Sequence, residues 1–394
     1  MADPRRFRPV WAEIDVDALR HNAAVLSQLV SPARLCAVVK ADAYGHGALV
    51  AARAALDGGA SWLAVALVEE GIELREHGIA EPVLLLSEPP PGAMEEALAR
   101  DLVPTLYTSG GVEALATAAK RLGRSAKAHL KVDTGMHRVG ADLRDIGRVA
   151  QEASEAGIDV EGLWTHLAVA DGGSPEDREF TAEQLRRFEG ARQLVSSLGV
   201  SPTVLHVANS AGAVAYPEAR GSMVRCGIAL YGALGPLTGG SSGDGPSGEE
   251  LATTLGMLRP VLSLRARVSF TRELAAGARP SYGRLRALRE DSVVATVPIG
   301  YADGVARSYF SRGGVVLVGG RRCPLAGMVT MDQIMVDCGP GAEVSAGDEV
   351  VLIGRQGSEE LTALDWARTL GTISYEVLSG IGSRVPRVRV AGDE

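Results

Sequence analysis

LCAVVKADAYGHG (35–47) is the stretch whose reading decides the fold. Leu35–Val39 is an apolar run of strand length, and charge arrives only with Lys40 at its end. A turn punctuated by Gly45 and Gly47 then leads into residues 48–57, which read as a helix. The same unit recurs outward along the chain. WLAVAL (62–67), EPVLLLS (81–87), AHLKVD (128–133), VEGLWTHL (160–167), TVLHVAN (203–209) and VRCGIALYG (224–232) read as buried strands, with helical spacing over 113–122, 141–156 and 176–198. Alternation sustained over roughly 220 residues predicts an α/β fold with a parallel sheet, first of all an N-terminal (β/α)8 barrel of TIM type. An open doubly wound sheet fits the alternation too, but the Gly-rich dinucleotide fingerprint after its first strand is missing.

GPLTGGSSGDGPSGEEL (235–251) reads as a linker or surface loop, and the pattern changes beyond it. Residues 261–270, 292–300, 314–327, 333–339 and 348–354 read as strands, with a hairpin at Gly319-Gly320 and one helix after Thr362, where Asp365 stands in a capping-box position. The expected domains are therefore a barrel over 1–240, whose first ~10 residues are able to pack on the other domain, and a mostly β domain over 241–394.

The 394 residues carry a formal charge of -8, which argues against nucleic acid or an anionic membrane as partner. No apolar run approaches the ~20 residues that span a bilayer. MADPRRFRPVWAEIDVDAL (1–19) has no apolar signal-peptide core, so a cytoplasmic protein is expected. Cys36, Cys226, Cys323 and Cys338 are scattered without CxxC spacing and read as small buried hydrophobes; no metal site is indicated. Of 40 basic residues only Lys40, Lys120, Lys127 and Lys131 are lysine. Arginine cannot give up its proton in a protein, so a lysine in such a chain merits scrutiny as a nucleophile or base.

Lys40 ends a strand, and in a barrel the active site gathers at the C-terminal strand ends. A lysine there can lose its charge by desolvation and attack an aldehyde. A lysine snorkelling at a strand end is the plainer reading. Against it, VVKADAYGHG (38–47) resembles, position for position, the pyridoxal-phosphate attachment signature of the alanine racemase family.

The resemblance extends over both domains, and it implies the roles that follow. In KVDTGMHRVG (131–140), Lys131, often carbamylated in the family, would orient Arg138 toward the cofactor and the substrate carboxylate, which a planar guanidinium binds at two points. The DTG of 133–135 also suggests an aspartic protease, but no second such motif supplies the paired carboxylate. LWTHLAVAD (163–171) supplies His166, and LHVANSA (205–211) supplies His206, Asn209 and Ser210 at the end of the seventh barrel strand. Ser210, Gly227 and Ile228, with Tyr44 and Tyr375, would bind the cofactor phosphate, and Asn209 would be a further cofactor-binding residue. Arg225 would face the pyridine nitrogen, where many pyridoxal enzymes place a carboxylate.

RPSYGR (279–284) resembles the segment with the second acid–base group, here Tyr282, and Lys40 would serve the opposite face of the substrate. The His166–Arg225 pair would help the phenol act as a base. PIGYADG (298–304) and VTMDQIMVD (329–337) bring Tyr301, Met331 and Asp332 to the substrate entrance or carboxylate pocket. In the family these second-domain residues come from the opposite subunit, which implies a head-to-tail homodimer with shared active sites. His137 and Thr330 stand at variable motif positions, and 236–250 looks inserted.

Interconversion of L- and D-alanine, supplying D-alanine for peptidoglycan, is the activity the resemblance implies. A racemase of the same fold acting on serine, lysine or several amino acids is the alternative. A decarboxylase on the related barrel would carry an acidic residue where Arg225 stands, and a non-catalytic cofactor-binding barrel would lack the domain bearing Tyr282.

Overall fold

The computed structural model describes residues 7–237, 240 and 246–390. Two compact units emerge. The larger comprises Leu19–Ala43 and Ala48–Arg259; the other comprises Met1–Ala18, Tyr44–Gly47 and Pro260–Glu394.

The larger unit is an eight-stranded parallel barrel. Its strands are Arg34–Val38, Trp62–Val65, Val83–Leu85, a fourth in two pieces (Leu102–Val103 and Thr105–Leu106), Lys127–Lys131, Asp159–Trp164, Val204–His206 and Met223–Cys226. The fourth was not apparent from the sequence because Pro104 interrupts its apolar run. Proline has no N–H for the ladder, so the first piece pairs with Val83–Leu85 and the second with Lys127–Lys131. The eighth strand pairs with the first at Arg225↔Cys36, and Tyr231 Oη donates to Val38 O at 2.9 Å. Ser222 N donates to Leu205 O at 2.9 Å, joining the seventh and eighth strands. With that fourth strand counted, His206 ends the seventh.

Helices Ala48–Asp57, Ser109–Leu122, Ile146–Glu155 and Pro175–Ser197 fall on the expected stretches. The last starts in a capping box in which Ser174 accepts from Asp177 N and Asp177 accepts in return from Ser174 N. Part of the expected linker, residues 238–239 and 241–245, lies outside the described residues, as do residues 1–6. Its far end is not loop. Ser247 and Glu250 form a second capping box, and a helix runs Gly248–Met257.

The smaller unit is mostly β. One sheet has the order Arg321–Pro324, Val315–Val318, Glu349–Gln356, Leu262–Arg267, Val10–Asp15, Arg387–Val390, with Glu359–Leu361 on the edge of Glu349–Gln356. Val10–Asp15 pairs antiparallel with Leu262–Arg267 and parallel with Arg387–Val390, so the start of the chain is built into this sheet. Phe270–Leu274, Ser292–Val297 and Ile334–Asp337 form a second sheet. Gly319 and Gly320 turn the expected hairpin with φ of 57° and 72°, the left-handed pair that a two-residue turn requires. Thr362 and Asp365 cap helix Ala363–Leu370 as their spacing predicts. All four cysteines are buried and free. Among the described residues no helix is long and apolar enough to cross a membrane, and no three His, Cys, Asp or Glu are grouped to hold a metal.

Candidate active site

The first barrel strand ends at Val38, and Lys40 opens a six-residue helical turn. The sequence suggests a glycine-rich turn here. Gly45 and Gly47 do turn with φ of 83° and 99°, and ahead of them Ala41, Asp42, Ala43 and Tyr44 all have φ between 51° and 56°. The left-handed region costs an L-residue roughly 1–2 kcal/mol, so the turn persists only because its surroundings hold it. Within the barrel unit, Glu70 Oε1 accepts from Ala41 N and Asp42 Oδ1 from Ala48 N, both at 2.6 Å. Within the smaller unit, Arg387 Nε donates to Gly45 O at 2.9 Å, and a Cβ on Gly45 would lie 2.6 Å from Leu378 O. Lys40 itself is half-buried; burial lowers its pKa, the charge of Arg138 lowers it further, and Glu70 opposes both.

Lys131 ends the fifth strand and is buried, with Nζ 4.1 Å from the centre of the Trp164 ring. Burial, then Arg225 and Arg138, bring its pKa down to about 7. Arg225 also lies against Trp164, 4.4 Å from the ring centre. Its guanidinium is fully enclosed and burial lowers its pKa to about 10, which leaves it charged at neutral pH. Nη1 donates to His206 O (2.9 Å), and Nη2 donates to Thr165 O (2.8 Å) and Val207 O (3.1 Å). Nη1 also reaches His206 Nδ1 at 3.0 Å, and Nη2 reaches His166 Nδ1 at 3.3 Å. Burial first, and then Arg225, hold His166 well below the usual histidine range. His166 is therefore a neutral ring beside a fixed cation.

Arg138 is exposed on the segment after the fifth strand, and its charge is felt by Lys40, Lys131 and His166. That segment is folded on Asp133, whose Oδ1 accepts from Gly135 N (2.8 Å) and His137 N (3.1 Å). Thr134 Oγ1 meets Thr165 Oγ1 at 2.8 Å, and Gln184 Nε2 reaches both Thr134 Oγ1 (3.2 Å) and His166 O (3.1 Å). After the seventh strand, Asn209 caps a short helix by accepting from Gly212 N at 2.9 Å. Buried Ser210 accepts from Gly227 N at 2.9 Å and Ala229 N at 3.4 Å, which brings the loops after the seventh and eighth strands together. Ile228 lies in that second loop and is fully buried.

The barrel unit thus gathers Lys40, Lys131, Arg138, His166, Asn209, Ser210, Arg225, Gly227 and Ile228. The smaller unit holds the rest. Tyr44 and Tyr375 pack with ring centres 5.9 Å apart. Tyr375 lies on helix Ser374–Ser379. Tyr282 sits in a strained turn in which Ser281, Gly283 and Arg284 all have positive φ, and it is 71% exposed. Tyr301 N donates to Thr330 O at 3.0 Å and Ala302 N to Met331 O at 3.1 Å, so Tyr301 and Met331 are neighbours; they are 42% and 53% exposed. Asp332 accepts from Arg384 Nη2 at 2.7 Å.

Sequence reasoning passed over Trp164, Thr165, Glu70 and Gln184. Trp164 and Thr165 stood inside a quoted motif, next to His166. Glu70 and Gln184 carry no local signal, because one is an ordinary helix-start acid and the other an ordinary helix polar residue.

Two family models match the chain: alanine racemase, N-terminal domain, over residues 14–235, and alanine racemase, C-terminal domain, over residues 261–389. The alanine racemase of Symbiobacterium thermophilum is 45% identical over 97% of each chain. That of Carboxydothermus hydrogenoformans is 39% identical over 98% of this chain and all of its own. Among solved structures, alanine racemase from D-cycloserine-producing Streptomyces lavendulae superposes with a TM-score of 0.87 at 38% identity, covering 98% of both chains.

Proposed function

The chain belongs to the alanine racemase family, and from that premise we infer that it interconverts L- and D-alanine, supplying D-alanine for peptidoglycan. It is an amino-acid isomerase with an N-terminal TIM-type barrel and a mostly β second domain.

The observation that carries this reading is the cation cluster at the C-terminal ends of the barrel strands. Arg138 lowers the pKa of both Lys40 and Lys131, and Arg225 and Lys40 lower that of Lys131 as well, with Glu70 and Asp133 the carboxylates that oppose them at the two lysines. Excess positive charge around a lysine with a lowered pKa fits an anionic aldehyde cofactor and a carboxylate substrate. Pyridoxal 5'-phosphate meets that description. Lys40 would hold it through Nζ; Tyr44, Asn209, Ser210, Gly227, Ile228 and Tyr375 would bind it, and Arg225 would stand at the ring nitrogen. When bound, it supplies the electron-withdrawing ring that makes the α-proton of an amino acid removable.

The chain's own groups do the rest. Lys40 takes or returns the α-proton on one face and Tyr282 on the other, each worth about 10²–10⁴ in rate. Neutral His166, fixed by Arg225, assists the phenol of Tyr282. Because Arg225 donates hydrogen bonds and keeps its proton, it would leave the ring nitrogen of a bound cofactor unprotonated, which would favour quick proton return over side reactions. Arg138, oriented by Lys131, binds the substrate carboxylate, with Met331, Asp332 and Tyr301 at the entrance. An amine titrating near 7 is neutral often enough to take up carbon dioxide, which supports carbamylation of Lys131. Exposed Tyr282, Tyr301 and Met331 support a head-to-tail homodimer in which each chain lends them to the other's site, and we place that dimer in the cytoplasm.

A racemisation assay across single amino acids tests the function. Alanine should turn over fastest. Faster turnover of serine or lysine would move the assignment to another substrate, and inversion of none would overturn it.

A further inference from the structure

Beneath Arg225 the barrel holds two more histidines whose protons can be placed by deduction. Arginine is a donor at every nitrogen. Arg225 Nη1 lies 3.0 Å from His206 Nδ1, so Nδ1 accepts and the single proton of a neutral His206 sits on Nε2. That Nε2 lies 2.9 Å from His129 Nδ1. His206 therefore donates, His129 Nδ1 accepts, and His129 in turn carries its proton on Nε2. The reverse direction would require His206 to accept at both nitrogens, which only an imidazolate can do. Burial disfavours a second proton on either ring and the charge of Arg225 adds to it, while at His129 Glu161 opposes the shift without reversing it.

The surroundings are built for these two rings. Trp164 stacks on His206 at 5.4 Å and 13°, and Trp62 lies against His129 at 5.2 Å. Gly162 stands opposite His129 in the strand register, and a Cβ there would lie 2.5 Å from His129 Cγ. Only glycine leaves room for the imidazole. His129 Nε2 is buried with no hydrogen-bond partner among the described residues, and it faces Glu161 Oε2 at 3.7 Å, beyond a formed hydrogen bond. The row thus runs from Arg225 through His206 and His129 toward a carboxylate, all donors pointing one way.

We propose that His129 is a positioning residue for the racemase site: by accepting from His206 it fixes the His206 tautomer, and His206 so fixed orients the Arg225 guanidinium. Without that acceptor the Nε2–H of His206 would be orphaned in the barrel interior, at the desolvation cost of an unmet buried donor. Moving the proton to Nδ1 would relieve it only by setting a donor against Arg225. The row is a tautomer lock and not a proton relay, since no ring in it can pass a proton to Arg225.

The inference rests on the role given to Arg225, but its first test does not. The ¹⁵N spectrum of selectively labelled, cofactor-free protein should show His129 and His206 protonated at Nε2 and bare at Nδ1. His129→Leu removes the acceptor; the His206 signals should shift and kcat should fall about tenfold with KM little changed. His129→Asn, whose Oδ1 can stand in for the ring Nδ1, should restore both. A protonated His206 Nδ1 in the wild-type protein overturns the proposal whether or not the Leu variant folds. So does a folded Leu variant with unchanged His206 signals and kcat. If the wild-type protein racemises nothing, the function reading fails while the tautomer result stands by itself.

Discussion

Lys40 and Tyr282 are the two groups assigned to the α-proton, and their settings differ sharply. Lys40 is half-buried in the barrel unit, on a turn held left-handed by side-chain hydrogen bonds, and burial and Arg138 already lower its pKa. Tyr282 stands on the smaller unit, 71% exposed, in a turn whose geometry is fixed while its ring is not enclosed. One base is tuned by its own unit, and the other has a fixed mount and an exposed ring. A phenol needs a nearby cation or hydrogen bonds to act as a base near neutral pH, and in the proposed homodimer the partner's barrel would bring them to Tyr282. The proposed shared site would account for this contrast.

Removing the tuned base should have the largest effect. Lys40→Ala should lose essentially all racemisation, at least the 10²–10⁴ of an acid–base group. Borohydride treatment of the wild-type holoenzyme should fix the cofactor on the Lys40 peptide; label on Lys120, Lys127 or Lys131 would sink the assignment.

Tyr282→Phe should slow inversion by about 10²-fold or more while leaving the other face working. In D₂O this variant should place deuterium in D-alanine without inverting it, and L-alanine should stay nearly unlabelled. Equal labelling of both enantiomers would mean that some other residue serves the second face.

Mixing the two inactive variants sharpens the contrast further. If each site takes Lys40 from one chain and Tyr282 from the other, random re-assortment of equal amounts makes half the dimers mixed, each with one intact site. About a quarter of wild-type activity should return. No recovery despite confirmed subunit exchange would place both residues of a site in one chain.

The smallest effect concerns Lys131. With its pKa near 7, uptake of ¹³C-bicarbonate as a carbamate should rise as pH passes upward through about 7 and be lost below it. The same depressed pKa has a stability consequence. Between about 7 and the ordinary 10.5 the unfolded chain binds more protons at this lysine than the folded one, so folding stability should rise with pH across that window. Lys131→Met should flatten that rise in denaturant titrations and abolish the carbamate signal. An unchanged pH slope would show that the amine is not held neutral.

Much of the architecture is legible in the linear chain because its signals are local. Strand-length apolar runs and helical spacing announce the barrel, Gly319-Gly320 announces a hairpin, and Thr362 with Asp365 announces a helix start. Where reading failed, a local signal misled. Pro104 hid the fourth strand, and the Gly-Ser-rich composition of 235–251 hid the capping box of Ser247 and Glu250. Lys40, Arg225 and Tyr282 could be nominated only because their motifs resemble a family; by spacing alone each is an unremarkable strand-end or turn residue.

The sequence by itself determined the order of βα units, the lysine that ends the first strand, and the residues that recur in the family's motifs. These follow from periods of 2 and 3.6 residues and from short motifs, which need no knowledge of distant partners. Only the tertiary structure decided that Lys131 would titrate near 7, that four non-glycine residues after Lys40 would be left-handed, and that His129, His206 and Arg225 would form one directed row. The reason is distance along the chain. Lys131 and Arg225 stand 94 residues apart, His129 and His206 stand 77 apart, and only closure of the barrel removes the water between them and lets their charges and hydrogen bonds set one another's protons.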